Sequence, residues 1–277
     1  MRSDIVKRIL RCPVCSAELE VTENQKSAVC QGARKHCFDF SAQGYLSLSG
    51  GGGDSKEAVA ARHSFLWEGY YERAALAICD AVKKYLSSHP VLIDAGCGEG
   101  YYTSKLALLS DVILGVDLSK HGCAAAAKQA KRDGIGNALY ATASVFELPI
   151  KDCAADAVVN IFAPCAEAEY CRVLSGGGYL FVVGAGKDHL MGLKRVLYNE
   201  VYENTQRADL PQNMQHIETL TVSYDVTVRG REHIDALFSM TPYYWRTSEQ
   251  DKAKLASLDE LETKIEFEIN VYRKQDL

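Results

Sequence analysis

Residues 91–102, VLIDAGCGEGYY, decide the fold of this 277-residue chain. An apolar run ends at Asp94, glycines follow at positions 96, 98 and 100, and a helical pattern begins after them. A buried strand that stops at such a turn brings backbone N–H groups and a helix N-terminus to one point, where a nucleotide-like ligand can approach the main chain. Because Tyr101 stands where a dinucleotide-binding G-x-G-x-x-G motif needs its last glycine, the spacing predicts a different cofactor.

The next apolar run, DVILGVDLS, ends at Asp117. An acid at the tip of the second strand can accept hydrogen bonds from both hydroxyls of a ribose. The D-x-G-C-G-x-G motif together with this acid resembles the S-adenosylmethionine-dependent class I methyltransferases. The alternative is a glycine turn in some other α/β protein, because a single glycine motif is a weak signal.

Strand and helix patterns alternate through the middle of the chain. This alternation predicts an α/β fold with a doubly wound, mostly parallel, Rossmann-like sheet. The segments LTVSYDVTVR and KIEFEINVYR alternate with period two and predict antiparallel strands that finish the sheet. Ligands of such sheets bind at the carboxyl ends of the strands, where Gly96, Asp117, Asn160 and Gly184 fall. The segment KDHLMGLKRVLYNEV predicts an amphipathic helix that carries His189 near its start.

Composition indicates a globular protein of the cytoplasm. The chain is 47% apolar and 24% charged, and its net charge is −5. Residues 1–38 carry seven Lys/Arg against four Asp/Glu, a net of +3, which leaves −8 for the rest. Most of the ten cysteines stand in apolar segments, as is usual in a reducing compartment. We expect a soluble protein, because neither a signal peptide nor a membrane span is visible.

The N-terminal region has the ligand spacing of a zinc site. Cys12 and Cys15 form a C-x-x-C pair, and Cys30 follows a short hairpin pattern, with His36 and Cys37 competing for the fourth place. We predict a zinc-ribbon-like module over residues 1–49, a glycine-rich linker over 50–56 and a methyltransferase domain over 57–277. The alternatives are unrelated cysteines in a reduced protein, or a redox C-x-x-C, which the lack of a surrounding βαβ pattern disfavours.

Longer motifs resemble the 23S rRNA (guanine-N1)-methyltransferase family. They are collinear over nearly the whole chain and include CPVC…C…HCFDFSAQGY, GDSKEAVAARHSFLWEGYYERA, LIDAGCGEGYYTSKL, NIFAPC, RVLSGGGYLFVV, HLMGLKRVLYNEVY and MTPYYWR. The resemblance implies a zinc-binding head on a class I methyltransferase domain. It also implies S-adenosylmethionine and Zn²⁺ as cofactors, a guanine in a hairpin of 23S rRNA as target, and a homodimer.

The resemblance also assigns site residues. It implies that Cys12, Cys15, Cys30 and His36 bind zinc, with Cys37 as a substitute because the last interval is longer than the family's C-x-x-x-H. The implied cofactor-binding residues are Tyr71, Asp94, Gly96, Gly98, Glu99, Gly100, Tyr101, Tyr102, Thr103, Asp117, Ser144 and His189. Of these, Ser144 rests only on its position in the turn after the third strand, which borders the adenine in methyltransferases.

Methylation of guanine N1 requires loss of the N1 proton or stabilisation of the developing charge at O6. We expect Asn160 or Asp188 to serve as the catalytic group. An extruded base would stack on Tyr101, Phe162 or Trp245, although core packing is the favoured role for Phe162. As a hypothesis, Arg11, Lys26, Arg34 and Lys35 bind rRNA phosphates. Two alternatives remain: a methyltransferase of a small metabolite, and a non-enzymatic zinc-ribbon RNA-binding protein.

Overall fold

The computed structural model describes residues 2–205 and 207–275. The N-terminal region contains α1 (Arg2–Ile9), β1 (Leu19–Val21), β2 (Ser27–Cys30) and β3 (Cys37–Asp39). The remaining elements are β4 (Leu46–Ser47), α2 (Lys56–Trp67), α3 (Glu72–Tyr85), β5 (Val91–Ala95), α4 (Tyr101–Ala107), β6 (Val112–Asp117), α5 (Lys120–Arg132), β7 (Ala138–Thr142), β8 (Ala155–Ile161), α6 (Glu167–Val173), β9 (Leu174–Ala185), α7 (Met191–Leu197), β10 (Gln215–Arg229), α8 (Arg231–Ser239), α9 (Glu249–Leu255) and β11 (Glu260–Arg273).

An eight-stranded sheet in the order β10-β11-β9-β8-β5-β6-β7-β4 forms the centre of the molecule. Strands from β9 to β4 pair in parallel, whereas β11 pairs antiparallel with both β9 and β10. This arrangement confirms the predicted fold class, including the antiparallel strands that finish the sheet. The chain proceeds outward from β5 to β6 and β7, then resumes on the other side at β8, so the crevice lies at the carboxyl ends of β5 and β8.

Strand β5 is buried along its whole length, because helices cover both faces of the sheet. Leu92 belongs to the core on one face, with Phe181 and Phe267, whereas Ile93 belongs to the core on the other face, with Leu114. The apolar run that we identified in the sequence therefore packs two cores at once and brings Asp94 to the crevice.

Helix α1 covers a part of the sheet that the connection between β7 and β8 leaves uncovered. Residues 143–154, which connect β7 to β8 and are all described, form no helix. Ile5, Val6, Ile9 and Leu10 of the N-terminal region are buried there in the same core as Leu114. Backbone hydrogen bonds from Arg11 N to Pro149 O (2.9 Å) and from Lys151 N to Ile9 O (2.8 Å) join the two regions.

The N-terminal region is thus continuous with the sheet. Where we predicted a module of residues 1–49 followed by a linker, Leu46–Ser47 form an edge strand of the large sheet, beside Ala141 and Thr142. The small sheet β1-β2-β3 is a separate antiparallel unit, as expected for a zinc-ribbon-like knuckle. Within the described ranges, no helix is long and apolar enough to cross a bilayer.

Candidate cofactor and zinc sites

The glycine turn after β5 has a backbone that only glycine adopts readily. Gly96, Gly98 and Gly100 have φ values of +91°, +52° and +79°. A Cβ at position 96 would lie 2.4 Å from Ala163 Cβ, and one at position 100 would lie 2.7 Å from Ala126 Cβ. Conformation and space both require glycine, and the result is a bare turn that a ligand can approach closely.

Asp117 lies at the tip of β6, beside this turn. Its carboxylate accepts hydrogen bonds from Gly98 N (3.0 Å) and Ser119 N (2.7 Å). An ionised carboxylate offers about four acceptor positions, so about two remain for the hydroxyls of a ribose. The turn and the carboxylate together fit the adenosyl part of S-adenosylmethionine.

Two buried acids hold the turn in place. Asp94 is buried and accepts a hydrogen bond from Thr103 Oγ1 at 2.5 Å, which ties β5 to α4. Burial, followed by the charges of Asp117 and Glu99, raises the pKa of Asp94 to about 7. Glu99 is also buried and accepts from Arg62 Nε at 2.5 Å, while Arg62 Nη1 donates to Asp54 at 2.6 Å. These contacts fasten α2 over the glycine turn.

Of the three remaining residues predicted near the turn, two are aromatic and largely enclosed. Tyr101 is buried with its ring edge-on to Trp67, at a centroid distance of 5.0 Å, and Tyr102 packs beside it. Tyr101 therefore offers no open face to an extruded base. Ser144 lies just past β7 and accepts from Phe146 N at 3.2 Å.

His189 lies on the turn before α7, because that helix begins only at Met191. Its Nδ1 accepts from Glu266 N at 3.1 Å, so the ring proton resides on Nε2, which faces Tyr71 Oη at 3.4 Å. Burial, with a smaller effect of the Lys194 charge, lowers the pKa of His189 to about 3. A neutral imidazole thus donates to Tyr71 and leaves the phenolic hydrogen free to donate to a ligand.

Phe162 follows β8 directly and is 48% exposed with φ +53°. Our expectation of core packing was therefore wrong for this residue. Its ring stacks at 6.0 Å on His189 and lies edge-on to Phe267 at 4.8 Å. The next residue, Ala163, is the one that packs on Gly96, so Phe162 stands beside the glycine turn. Trp245 is more exposed still, at 85%.

Asn160 is completely buried and committed to the protein. Its Nδ2 donates to Pro164 O and Tyr170 Oη, both at 3.0 Å, and its Oδ1 accepts from Arg207 Nη1 at 3.3 Å. Such a side chain has no free group for a substrate. By contrast Asp188, also predicted as catalytic, is half-buried, and its carboxylate has no hydrogen-bond or ion-pair partner among the residues that the structure describes.

Sequence reasoning missed Arg207, which closes the carboxyl ends of β8 and β9. Its guanidinium is held by Asp209 through two hydrogen bonds of 2.9 and 2.7 Å, and it donates to Ala163 O at 2.7 Å. It stands in a loop with no helical or strand pattern, and the groups that it joins at the strand ends, on Asn160, Ala163 and Val183, are distant from it in the chain. No local signal could have indicated it.

The four residues predicted to bind zinc lie close together. Side-chain atoms of Cys12, Cys15, Cys30 and His36 all lie within 4.8 Å of one another. Neighbouring pairs are 3.3 to 3.6 Å apart, close to the ~3.5–3.8 Å separations that Zn–S bonds of ~2.3 Å and Zn–N bonds of ~2.0 Å imply for a tetrahedron. Backbone N–H groups of Val14 and Gly32 donate to the sulfurs of Cys12 and Cys30.

His36 rather than Cys37 completes this cluster. Cys37 is the first residue of β3 and its side chain is exposed. Gly32 is packed tightly between the ligands, because a Cβ there would lie 3.1 Å from Cys15 Sγ and 3.3 Å from Cys30 Sγ. The donor set of three thiolates and one imidazole suits Zn²⁺ in a closed, structural site.

Comparisons with known proteins agree with this geometry. A family model described as a methyltransferase domain matches residues 93–182, the segment that carries the glycine turn and Asp117. S-adenosylmethionine is the cofactor of proteins with this domain. One solved structure, from work on the conversion of a disulfide bond into a thioacetal group during echinomycin biosynthesis, superposes with a TM-score of 0.51. It has 14% identity and covers 73% of this chain and 82% of that one, so it supports the fold alone.

Relatives by sequence extend over the zinc-binding region as well. A Bacillus subtilis protein named for 23S rRNA (guanine-N1) methylation is 28% identical over 294 residues, which cover 99% of this chain and all of that protein. The 23S rRNA (guanine(748)-N(1))-methyltransferase of Streptomyces fradiae is 31% identical over 71% of this chain and 72% of its own length. With a methyltransferase sheet, a glycine turn beside Asp117 and a Cys₃His cluster in one fold, the chain belongs to the 23S rRNA (guanine-N1)-methyltransferase family.

Proposed function

We propose that this protein transfers the methyl group of S-adenosylmethionine to N1 of a guanine in a hairpin of 23S rRNA. The observation that carries the proposal is the half-exposed Phe162 ring beside the glycine turn, in a chain of this family. Bases taken out of a helix are commonly bound by stacking on aromatic side chains. A guanine on Phe162 would lie next to the cofactor rather than at a remote surface.

The cofactor, when bound, supplies an electrophilic methyl group on a sulfonium. The chain's part is to position and desolvate the reactants. The glycine turn and Asp117 would hold the adenosyl part. The oxygen of Tyr71 accepts from His189 Nε2–H, so its hydroxyl hydrogen would be the group that donates to a bound reactant. Burial raises the pKa of Tyr71, so the phenol remains a donor at neutral pH.

We propose that the carboxylate of Asp188, rather than Asn160 or His189, accepts the proton of guanine N1. The oxygen of Asn160 is occupied by Arg207 and its amide donates elsewhere. His189 has its one lone pair occupied by Glu266 N–H, and its pKa of about 3 makes the ring a poor base. The carboxylate of Asp188 has no hydrogen-bond or ion-pair partner among the described residues. Asp188 directly precedes His189, whose ring stacks on Phe162.

The test is methylation of unmodified 23S rRNA with S-adenosylmethionine, followed by mass mapping of the modified nucleotide. We expect one new methyl group on N1 of one guanine, and its loss in Asp117→Ala through failure to bind the cofactor. Asp188→Asn is expected to lower kcat at least 100-fold with cofactor affinity unchanged, since general-base catalysis contributes about 10²–10⁴.

Two aromatic variants identify the stacking platform. Phe162→Ala should lower rRNA turnover at least about fivefold, because stacking contributes about 1–3 kcal/mol per base. Trp245→Ala is the matched comparison, since it removes another exposed aromatic ring, and it should leave turnover unchanged. Cofactor binding without any methyl transfer to rRNA would contradict the proposal and favour a metabolite as substrate. A homodimer, also part of the proposal, is tested by light scattering of the purified protein.

A further inference from the structure

A groove lies at the seam between the zinc-binding region and the large sheet, away from the cofactor site. It has a volume of about 590 Å³ and is lined by the start of α1, the turn between β1 and β2, the adjoining ends of β2 and β3, the turn after β3 and the last turn of α5. Three cationic side chains, Arg2, Lys26 and Lys131, border it together with the ring of Phe40. None of the residues implied for zinc or cofactor binding lines it.

Two of these cations converge on one point above Gly44. A Cβ built on Gly44 would lie 3.2 Å from Arg2 Nη2 and 3.3 Å from Lys131 Nζ, so the two nitrogens are at most about 6.5 Å apart. The Arg2 guanidinium rests on the Phe40 ring at 4.5 Å, which orients it, and Lys131 Nζ is steadied by Ala42 O at 3.4 Å. A single phosphate could contact both groups.

The lining of this groove has an excess of positive charge, with three cations against one carboxylate. Among the residues that the structure describes, none of the three cations lies within 4.0 Å of a carboxylate oxygen, although the chain has a net charge of −5. Asp39, the acid that lines the groove, accepts from Ser27 Oγ at 2.7 Å. By contrast Arg8, Arg11 and Lys151 nearby are each paired with an acid.

We propose that this groove binds a backbone phosphate of the substrate RNA and so orients the hairpin for methylation. The inference rests on the proposed function. Phosphate contacts position a protein on a nucleic acid without reading its sequence, and arginine and lysine are the usual donors. Lys131 lies near the end of α5, and Ser119 caps its beginning beside Asp117. The 13-residue helix spans about 20 Å, which sets the distance between the anchored phosphate and the ribose-binding end of the cofactor site.

The test is binding of a 23S rRNA hairpin fragment by the full-length double variant Arg2→Gln/Lys131→Gln, measured by fluorescence anisotropy between 50 and 200 mM salt. We expect at least tenfold weaker binding at low salt and a slope of log K against log salt that is less steep by about 1, because one phosphate contact is lost. KM for RNA should rise, whereas kcat and cofactor affinity stay unchanged.

The control is Lys7→Gln/Lys128→Gln, which removes two exposed lysines from the same helices, α1 and α5, without touching the groove. Equal loss of binding in both double variants, or wild-type affinity and slope in Arg2→Gln/Lys131→Gln, would refute the groove while leaving the methylation proposal intact. Failure of the wild-type protein to bind or methylate the hairpin would instead refute the proposed function, and the groove inference with it.

Discussion

The substitution Ile9→Ala is expected to destabilise the methyltransferase sheet, although Ile9 belongs to the N-terminal region. Ile9 is fully buried and shares a core with Leu114 and Leu139 of the sheet. Replacing a buried isoleucine by alanine usually costs about 2–5 kcal/mol, because apolar contacts are lost and a cavity remains. That is a large part of the ~5–15 kcal/mol by which a domain is stable.

Larger deletions should have larger effects. Ile5, Val6, Ile9 and Leu10 are all buried in this core, and each fully buried aliphatic side chain contributes about 1.5–3 kcal/mol. Their joint contribution of roughly 6–12 kcal/mol is an upper value, since the unfolded chain buries some of this surface too. Removal of residues 1–40 is therefore expected to unfold the sheet, which makes such a truncation unsuitable for testing RNA binding.

Urea unfolding followed by tryptophan fluorescence measures this coupling. The two tryptophans, Trp67 and Trp245, both lie outside the N-terminal region, and Trp67 packs against Tyr101 near the cofactor turn. With a slope of about 2 kcal/mol per M urea, Ile9→Ala should lower the midpoint by about 1 M or more. Lys7→Ala, on the exposed side of α1, is the control. An unchanged tryptophan midpoint in Ile9→Ala would mean that the two regions fold independently.

Three further outcomes are expected. Because the pKa of His189 is lowered to about 3, the unfolded state binds a proton below pH ~6.5 that the native state does not. Stability therefore falls as the pH falls, and His189→Gln should reduce the loss between pH 7 and 5.5 by about 1 kcal/mol in urea unfolding. Gly96→Ala should weaken cofactor binding at least tenfold by calorimetry, whereas Gly134→Ala, also at positive φ but with open space around it, should not. Cys12→Ser should abolish zinc binding in metal analysis, and Cys37→Ser should retain it; loss of zinc in Cys37→Ser would instead make Cys37 the fourth ligand.

Local spacing was sufficient for the parts of the site formed by neighbouring residues. The glycine turn joins one strand to the next helix, so its chemistry is visible within residues 91–102. The strand that ends at Asp117 follows directly, and the C-x-x-C pair brings two thiolates together within one turn. Alternating patterns also predicted β10 and β11 correctly, because an antiparallel pair at the end of a sheet has faces of different polarity.

The tertiary structure decided what depends on contacts between distant segments. The position of Asn160 at a strand end predicted a catalytic group. Only its hydrogen bonds with Arg207 and Tyr170 show that its side chain has no free donor or acceptor for a substrate. Helix α1 looked like part of a separate module, and only the missing helix between β7 and β8 explains why it is buried in the sheet's core. Burial and hydrogen-bond partners are set by packing between segments, which no pattern along the chain encodes, whereas turn geometry and ligand spacing are properties of the chain itself.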